Sequence, residues 1–426
     1  MRILVISRNA WDNTNSIGNT LSNFFTGIKD VEFGSVYFRS SAPNNEMCQM
    51  YYRATETEIL KKWFTPAKIG TKFLYNCVKK GEHITNTAER KERALVRLIQ
   101  SHNLKFAYKL SDYLWYSEKW INKNLESFVA EFSPDLIVTF VKSAPQYYLT
   151  VKYLREKFNV PLFTWIADDE YTRLAKKGAT REIENLKYIL AESSVVTGCS
   201  QEICDYYNSV FGCNATPLYK SCDFTTPVKQ TVNNPVTIVY AGNLLYGRMD
   251  IIGRVADAVE KVSAIGMNVV FEIYSNTELT ESEVQKYIGE KKYTKYMGKR
   301  DYAFIKKRLA SADVVLHVES FEAEQVLKTK YSFSTKIIDY LQSGSVLMAV
   351  GPNDIASMRY ISGIPGACVV NDIKNIDNAL KEMLTDTTDL SKRALQIRSF
   401  AEEYHDSNIS AMNLTKTFNE ISKKGE

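Results

Sequence analysis

"YSFSTKIIDYLQSGSVLMAV", residues 331–350, reads as a helix, a stop and a buried strand in direct succession. Ile337, Ile338 and Leu341 make an apolar stripe at helical spacing, and Gly344 is a natural terminator. "SVLMAVG" (345–351) then runs apolar without alternation, as a strand covered on both faces does. At the helix start, Ser334 or Thr335 is the expected N-cap, which puts Lys336 in a first turn that already carries partial positive charge. Two readings follow. Lys336 and Asp339 form an exposed i,i+3 pair contributing about 0.2–0.5 kcal/mol. Alternatively, an anion docks on the helix start and uses the free amides, the two hydroxyls and the lysine together.

The same run-and-helix alternation fills the chain. Apolar runs occur at 2–7, 31–38, 135–141, 161–167 and 194–200, and again at 236–242, 268–275, 293–298, 313–320 and 345–351. Buried runs of this length between helical patterns predict parallel sheets wound with crossover helices. With 426 residues, two domains are expected. The boundaries read as an N-terminal domain over 1–224, a polar, proline-bearing linker over 225–235 and a C-terminal domain over 236–404. A final amphipathic helix lies in 405–426, with a possible return to the first domain. The fold class is therefore α/β, two Rossmann-like domains facing across a cleft, with ligands expected outside the carboxyl ends of the strands. Residues 45–130 break the rhythm. They read as a helical insert rich in aromatic and basic side chains, and 51–126 carries a net charge of about +7 against +5 for the whole chain. Its aromatics are either core or part of a surface for anionic lipid headgroups.

Composition excludes several classes. The small net charge of +5 argues against a dedicated nucleic-acid binder. The seven cysteines include no C-x-x-C pair and no zinc spacing, so reduced, packed thiols are expected. Only His83, His102, His317 and His405 are available, too few for a multi-histidine metal site. "MRILVIS" enters a strand without a signal-peptide pattern, and no segment reaches 18 uninterrupted apolar residues, so the chain reads as cytoplasmic.

Four strand-end segments carry the candidate chemistry. "NTNSIGNT" (13–20) feeds a helix through Gly18, with Asn19 beside it, but is not G-x-G-x-x-G. "WIADDEY" (165–171) puts Asp168 and Asp169 directly after a buried strand. Paired acids there can bind a metal or serve as acid, base or charge stabiliser, or one of them can cap the next helix. In "YAGNLLYGRMD" (240–250), Gly242 and Asn243 end a strand. Arg248 either forks onto phosphate oxygens, pairs with Asp250 or stays solvated. The opening segment is preceded by "HVESFEAE" (317–324), with Glu319, Ser320 and Glu322. Arg248 and Lys336 as an anion grip, with Asp339 behind them as an acceptor for hydroxyls, outline a nucleotide-sugar site.

At these residues the sequence resembles glycosyltransferase family 4, retaining enzymes of GT-B fold. "STKIIDYLQSGSVLMAV" is similar to that family's Pro-Ser/Thr-Lys helix with Glu-Tyr/Ala-Leu and Gly-x-Pro-Val. The resemblance implies that Thr335 and Lys336, with Ser334 alongside, meet the donor phosphates and that Asp339 holds the ribose. "AGNLLYGRMD" resembles the Gly-Arg-Leu…Lys segment, which implies Gly242 at the diphosphate and Arg248 at the basic position. "NSIGNT" resembles the glycine-bearing first loop, and "LASADVVLHVES" the strand leading to the donor-sugar loop, near Glu322. Tyr274 and Ser275 of "IYS" and Gly298 of "MGKR" fall where the family surrounds the base. The sequence departs in four places. Asn243 stands for the usual arginine and Asp339 for glutamate, Glu322 and Asp339 lie farther apart than the family's glutamate–seven–glutamate spacing, and "ADDE" stands for a frequent histidine, where Asp168 is expected to contact the transferred sugar.

The resemblance implies a UDP- or GDP-sugar donor, no obligatory metal or other cofactor, and catalytic roles for Asp168, Asp169, Arg248 and Lys336. The acceptor is expected to be a glycan or polyprenyl-linked hydroxyl compound in bacterial surface polysaccharide synthesis. The protein would then sit peripherally on an anionic inner membrane face through the basic insert. A sugar-nucleotide epimerase of the same fold and a non-catalytic partner in polysaccharide assembly are the alternative readings. A metal-dependent GT-A enzyme using "DDE" fits the two-domain strand pattern poorly.

Overall fold

The computed structural model describes residues 1–79, 94, 105–289 and 291–423. The chain divides into two compact units, Met1–Leu218 with Ala411–Glu426, and Tyr219–Ser410. All ten apolar runs are strands.

The first unit is built on an eight-stranded sheet. Its strands are β1 (Arg2–Ser7), β2 (Glu32–Tyr37), β3 (Cys48–Arg53), β4 (Thr71–Leu74), β5 (Leu136–Phe140), β6 (Leu162–Ile166), β7 (Val195–Gly198) and β8 (Thr216–Pro217). Their order is β4-β3-β2-β1-β5-β6-β7-β8, and every pairing is parallel except β3 with β4. Central β1 pairs Leu4 with both Gly34 and Ile137, and Ile3 through Ile6 have no exposed surface. That burial is why the run reads apolar without alternation. The C-terminal helix Ser407–Lys423 contributes Phe418, whose ring lies 6.2 Å from Phe25 and 5.2 Å from Phe163.

Residues 45–130 depart from the helical insert expected. They add β3 and β4 to the sheet beside helices Glu56–Phe64 and Lys105–Tyr116. Edge strand β4 and its neighbour β3, both of mixed burial, carry little signal against that basic, aromatic background. Residues 80–93 and 95–104 of this stretch lie outside the described residues.

The second unit has six parallel strands, β9 (Val236–Ala241), β10 (Val269–Tyr274), β11 (Thr294–Gly298), β12 (Val314–Val318), β13 (Val346–Val350) and β14 (Cys368–Val370). The order β11-β10-β9-β12-β13-β14 reverses direction between β9 and β12. The chain leaves these two strands toward opposite sides, which opens a crevice at their carboxyl ends. The stretch 225–235 is bound into this unit. Asp313 Oδ1 accepts from Asn233 N at 3.0 Å and lies 2.8 Å from Lys229 Nζ, and Arg398 donates to the Thr226 carbonyl at 2.6 Å. Gly344 follows helix Lys336–Gln342 at φ +80°, the left-handed stop expected of it.

Candidate functional site

The turn after β9 carries Arg248 to the reversal point. Tyr246 (φ 59°) and Gly247 (φ 71°) are both left-handed, a strained arrangement for a tyrosine, and helix Arg248–Ala264 begins at once. A Cβ on Gly247 would fall 2.4 Å from Ser320 Oγ, so glycine also lets this turn approach the loop after β12. Arg248 bridges the two strand ends. Its Nε donates to the Val318 carbonyl (3.2 Å), its Nη1 to Asn243 Oδ1 (2.8 Å) and its Nη2 to both oxygens of Glu319 (3.0 and 2.9 Å). Burial disfavours the guanidinium charge and Glu319 more than restores it, so Arg248 holds its proton more tightly than usual.

Arg248 is thus neither solvated nor paired with Asp250. Asn243, the residue in the usual arginine position, orients Arg248 and also accepts from Leu245 N at 3.2 Å. Glu319 is buried, and His317 Nε2 lies 3.2 Å from its Oε1, off the line of a hydrogen bond. Burial works against the Glu319 charge, but the His317 ring and Arg248 hold the carboxyl below its usual range.

Helix Lys336–Gln342 brings the second cation, with two corrections to its reading. Thr335 occupies the N-cap in αR geometry and makes no side-chain cap bond; the turn closes instead by Ile337 N donating to the Ser334 carbonyl at 3.0 Å. Ser334 N donates to Ser357 Oγ at 3.0 Å. Nor does Lys336 pair with Asp339. Asp339 Oδ1 accepts from Lys220 Nζ at 2.9 Å, with side chains 16% and 3% exposed, and from the Tyr302 hydroxyl at 3.3 Å. Lys336 therefore has no ion-pair partner among the described residues. Desolvation and the nearby Arg248 guanidinium push its pKa below the usual lysine range, while Asp339 and Glu319 hold it up. Arg248, Lys336 and Lys220 against Glu319 and Asp339 leave one positive charge in excess at the crevice.

The residues expected around the base also come together. Tyr274 pairs with Gly298 across β10 and β11, and Ser275 N donates to the Gly298 carbonyl at 3.1 Å. A Cβ on Gly298 would meet open space. Gly242 serves packing, since a Cβ there would fall 2.6 Å from the Tyr240 hydroxyl, which donates to the Asn243 carbonyl. Glu322 is exposed and precedes helix Ala323–Thr329 without a side-chain cap bond.

In the first unit, Asn15 caps helix Ser16–Phe25 by accepting from Gly18 N at 2.8 Å. A Cβ on Gly18 would lie 2.1 Å from the Asp12 carbonyl oxygen, so this glycine admits the chain's own backbone rather than a ligand. Asn19 N donates to the Asn15 carbonyl (3.0 Å) in the same first turn. After β6, Asp168 is 67% exposed and 3.8 Å from Lys142 Nζ, whereas Asp169 Oδ1 accepts from Thr172 N at 3.1 Å and starts the next helix. Lys142 pairs more closely with Glu170 (3.0 Å), which also accepts from Ser143 N (2.8 Å). Burial opposes the Glu170 charge, but Lys142 and Ser143 N keep its carboxyl low.

The sequence matches no protein-family model and no curated protein. Solved structures do match, over nearly the full length. Sucrose-phosphate synthase from Thermosynechococcus elongatus superposes with TM-score 0.65 at 11% identity, covering 99% of each chain. HepE of Anabaena, in complex with UDP and glucose, gives 0.62 at 12% identity over 99% of this chain and 100% of that one. WaaG, a glycosyltransferase involved in lipopolysaccharide biosynthesis, gives 0.58 at 10% identity over 98% and 99%. The fold is GT-B. The sequence did not point to Lys220, Lys142 and Glu170, and it named Glu319 only as a strand-end acid without a role. Glu319 had a signal, standing directly after a buried strand as Asp168 nearly does. Lys220 in "PLYKSCD" had none.

Proposed function

We propose that this chain is a retaining glycosyltransferase that moves a sugar from a UDP- or GDP-sugar to a hydroxyl of a glycan or polyprenyl-linked acceptor, in bacterial surface polysaccharide synthesis. The observation that carries the reading is the Lys336 ammonium, without an ion-pair partner among the described residues, beside Arg248 where the second sheet reverses direction. The relatives in fold whose structures hold UDP and glucose, or that take part in lipopolysaccharide biosynthesis, support it.

As the sugar leaves, charge builds on the diphosphate, and Lys336 with the outer edge of Arg248 stabilises it. Asp339, held by Lys220, accepts from the ribose hydroxyls. Tyr274, Ser275 and Gly298 flank the base, while Ser334 and Thr335 line the phosphates. The acceptor hydroxyl attacks on the face the diphosphate leaves, and a diphosphate oxygen takes its proton, so no strong protein base and no obligatory metal enters the scheme. Asp168, the exposed acid after β6, contacts the transferred sugar. The enzyme works in the cytoplasm, peripherally on the inner membrane face.

Calorimetric titration with UDP, GDP and ADP, then with their sugar conjugates, tests this. One diphosphate should bind, and Lys336→Ala should weaken it at least tenfold. Indifference to all three, or full affinity in the variant, would overturn the assignment. Product analysis with donor alone separates an epimerase, which needs no acceptor. The non-catalytic reading draws on Asn243, which leaves the crevice one cation short of the family pattern, and it predicts binding without turnover.

A further inference from the structure

The turn that delivers Arg248 holds a residue it does not favour. Arg248 N donates to the Leu245 carbonyl at 3.3 Å, across Tyr246 (φ 59°) and Gly247 (φ 71°, ψ 6°). Two central residues at positive φ are the arrangement of a type I′ turn, for which Asn-Gly is the favoured pair. Gly247 meets that demand freely, whereas Tyr246 meets it against the crowding of its own Cβ on the following carbonyl oxygen. The turn has no room to relax around the tyrosine, because it is tied to the ends of three strands. The Tyr240 hydroxyl donates to the Asn243 carbonyl, Leu244 N donates to Thr277 Oγ1 at 3.0 Å, and Gly247 lies against Ser320. None of these ties uses the Tyr246 side chain, so asparagine would keep them all.

The side chain gives the fold little in return. It is 47% exposed, and its hydroxyl has no hydrogen-bond partner among the described residues. Its ring centroid stands 5.7 Å from the Arg248 guanidinium carbon. Strain that packing does not offset, held beside a binding group, points to a ligand.

Place along the sheet says which part of a ligand the ring meets. Tyr274, Ser275 and Gly298 end β10 and β11, on one side of β9. The turn with Tyr246 leans the other way, a Cβ on Gly247 falling 2.4 Å from Ser320 Oγ and 3.4 Å from Gln325 Cγ, beyond β12. A nucleoside-diphosphate sugar with its base at β10 and β11 and its diphosphate at Arg248 carries its sugar past Arg248, to the side where Tyr246 stands.

We infer that Tyr246 is the platform for the transferred sugar, its ring covering the C–H groups of one pyranose face and so helping to set which sugar is accepted. This assignment rests on the nucleotide-sugar reading of the crevice. Calorimetry on the full chain with UDP, UDP-glucose, UDP-galactose and UDP-N-acetylglucosamine, and with GDP and GDP-mannose, measures the affinity that a sugar adds to its diphosphate. At least one conjugate should bind the parent chain more tightly than the bare diphosphate does. Tyr246→Asn should cut that gain about fivefold, the order of one aromatic contact, and leave the bare diphosphate within about twofold. It should also melt no lower than the parent, since asparagine suits the turn. Tyr246→Phe should keep the gain.

An undiminished gain in Tyr246→Asn, or a gain lost equally in Tyr246→Phe, overturns the inference. So does a lower melting point for Tyr246→Asn, which would make the ring a structural support, or a parent chain that gains nothing from any sugar. In each of these cases binding of the bare diphosphate leaves the transferase reading standing. Indifference of the parent to UDP and GDP alike overturns both.

Discussion

Replacing Lys220 by methionine removes one charge from a pair that is almost dry on one side and nearly so on the other. The Nζ–Oδ1 distance is 2.9 Å, with side chains 3% and 16% exposed. At an effective dielectric constant of about 20, two unit charges at that separation attract by about 6 kcal/mol, most of which offsets their desolvation. Removing one partner strands the other, which costs about 3–5 kcal/mol in buried pairs. The residual exposure of Asp339 and its Tyr302 contact put this case at about 3 kcal/mol. Asp339→Asn should cost a similar amount. Since each single variant strands a charge and the double variant strands none, the pair should lose about 4 rather than about 6 kcal/mol, a coupling of about 2 kcal/mol.

Two-unit chains seldom unfold in one step. The suitable readout is therefore native-state hydrogen exchange at the slowest amides of β9 and β12, which reports the second unit alone. Coupling below about 0.5 kcal/mol would mean that Lys220 and Asp339 act independently. Asp339 would then be free for Lys336, and Lys336 would no longer stand as the cation without an ion-pair partner in the crevice.

His405 is held neutral, its Nδ1–H donating to the Lys220 carbonyl at 3.1 Å and its Nε2 accepting from the Tyr360 hydroxyl, and burial lowers its pKa from 6.5 to about 4. Below its ordinary value the unfolded chain takes up a proton that the folded unit refuses. Stability of the second unit should therefore be flat above pH 6.5 and fall by about 3 kcal/mol toward pH 4, and a pH series on His405→Phe should lack that slope. Gly18→Ala drives a methyl to 2.1 Å from the Asp12 carbonyl oxygen and should cost the first unit about 2 kcal/mol; a neutral result would reopen a ligand role for this glycine. Glu319→Gln removes the anion that neutralises Arg248, so nucleoside diphosphate should bind severalfold tighter and with steeper salt dependence in calorimetry. Weaker binding would show that orienting Arg248 outweighs its charge.

The amino-acid order by itself determined the two parallel sheets, because a strand buried on both faces must be apolar throughout and leaves a local mark, as "RILVIS" and "DVVLHVES" do. It also singled out the loops that carry the candidate chemistry, since polar residues directly after such runs mark strand ends: Asp168, Asn243 with Arg248, and Glu319. Strands β3, β4, β8 and β14, at or next to the sheet edges, were missed because they are less uniformly buried.

Only the tertiary structure decided the charge pairing. Lys336 and Asp339 stand at a spacing that permits a helix pair, yet Asp339 takes Lys220 from 119 positions away, and Arg248 takes Glu319 from 71. Helical spacing fixes which side chains can meet locally. Which charges do meet depends on burial, and the strand order brings the more deeply buried partners to the same crevice first.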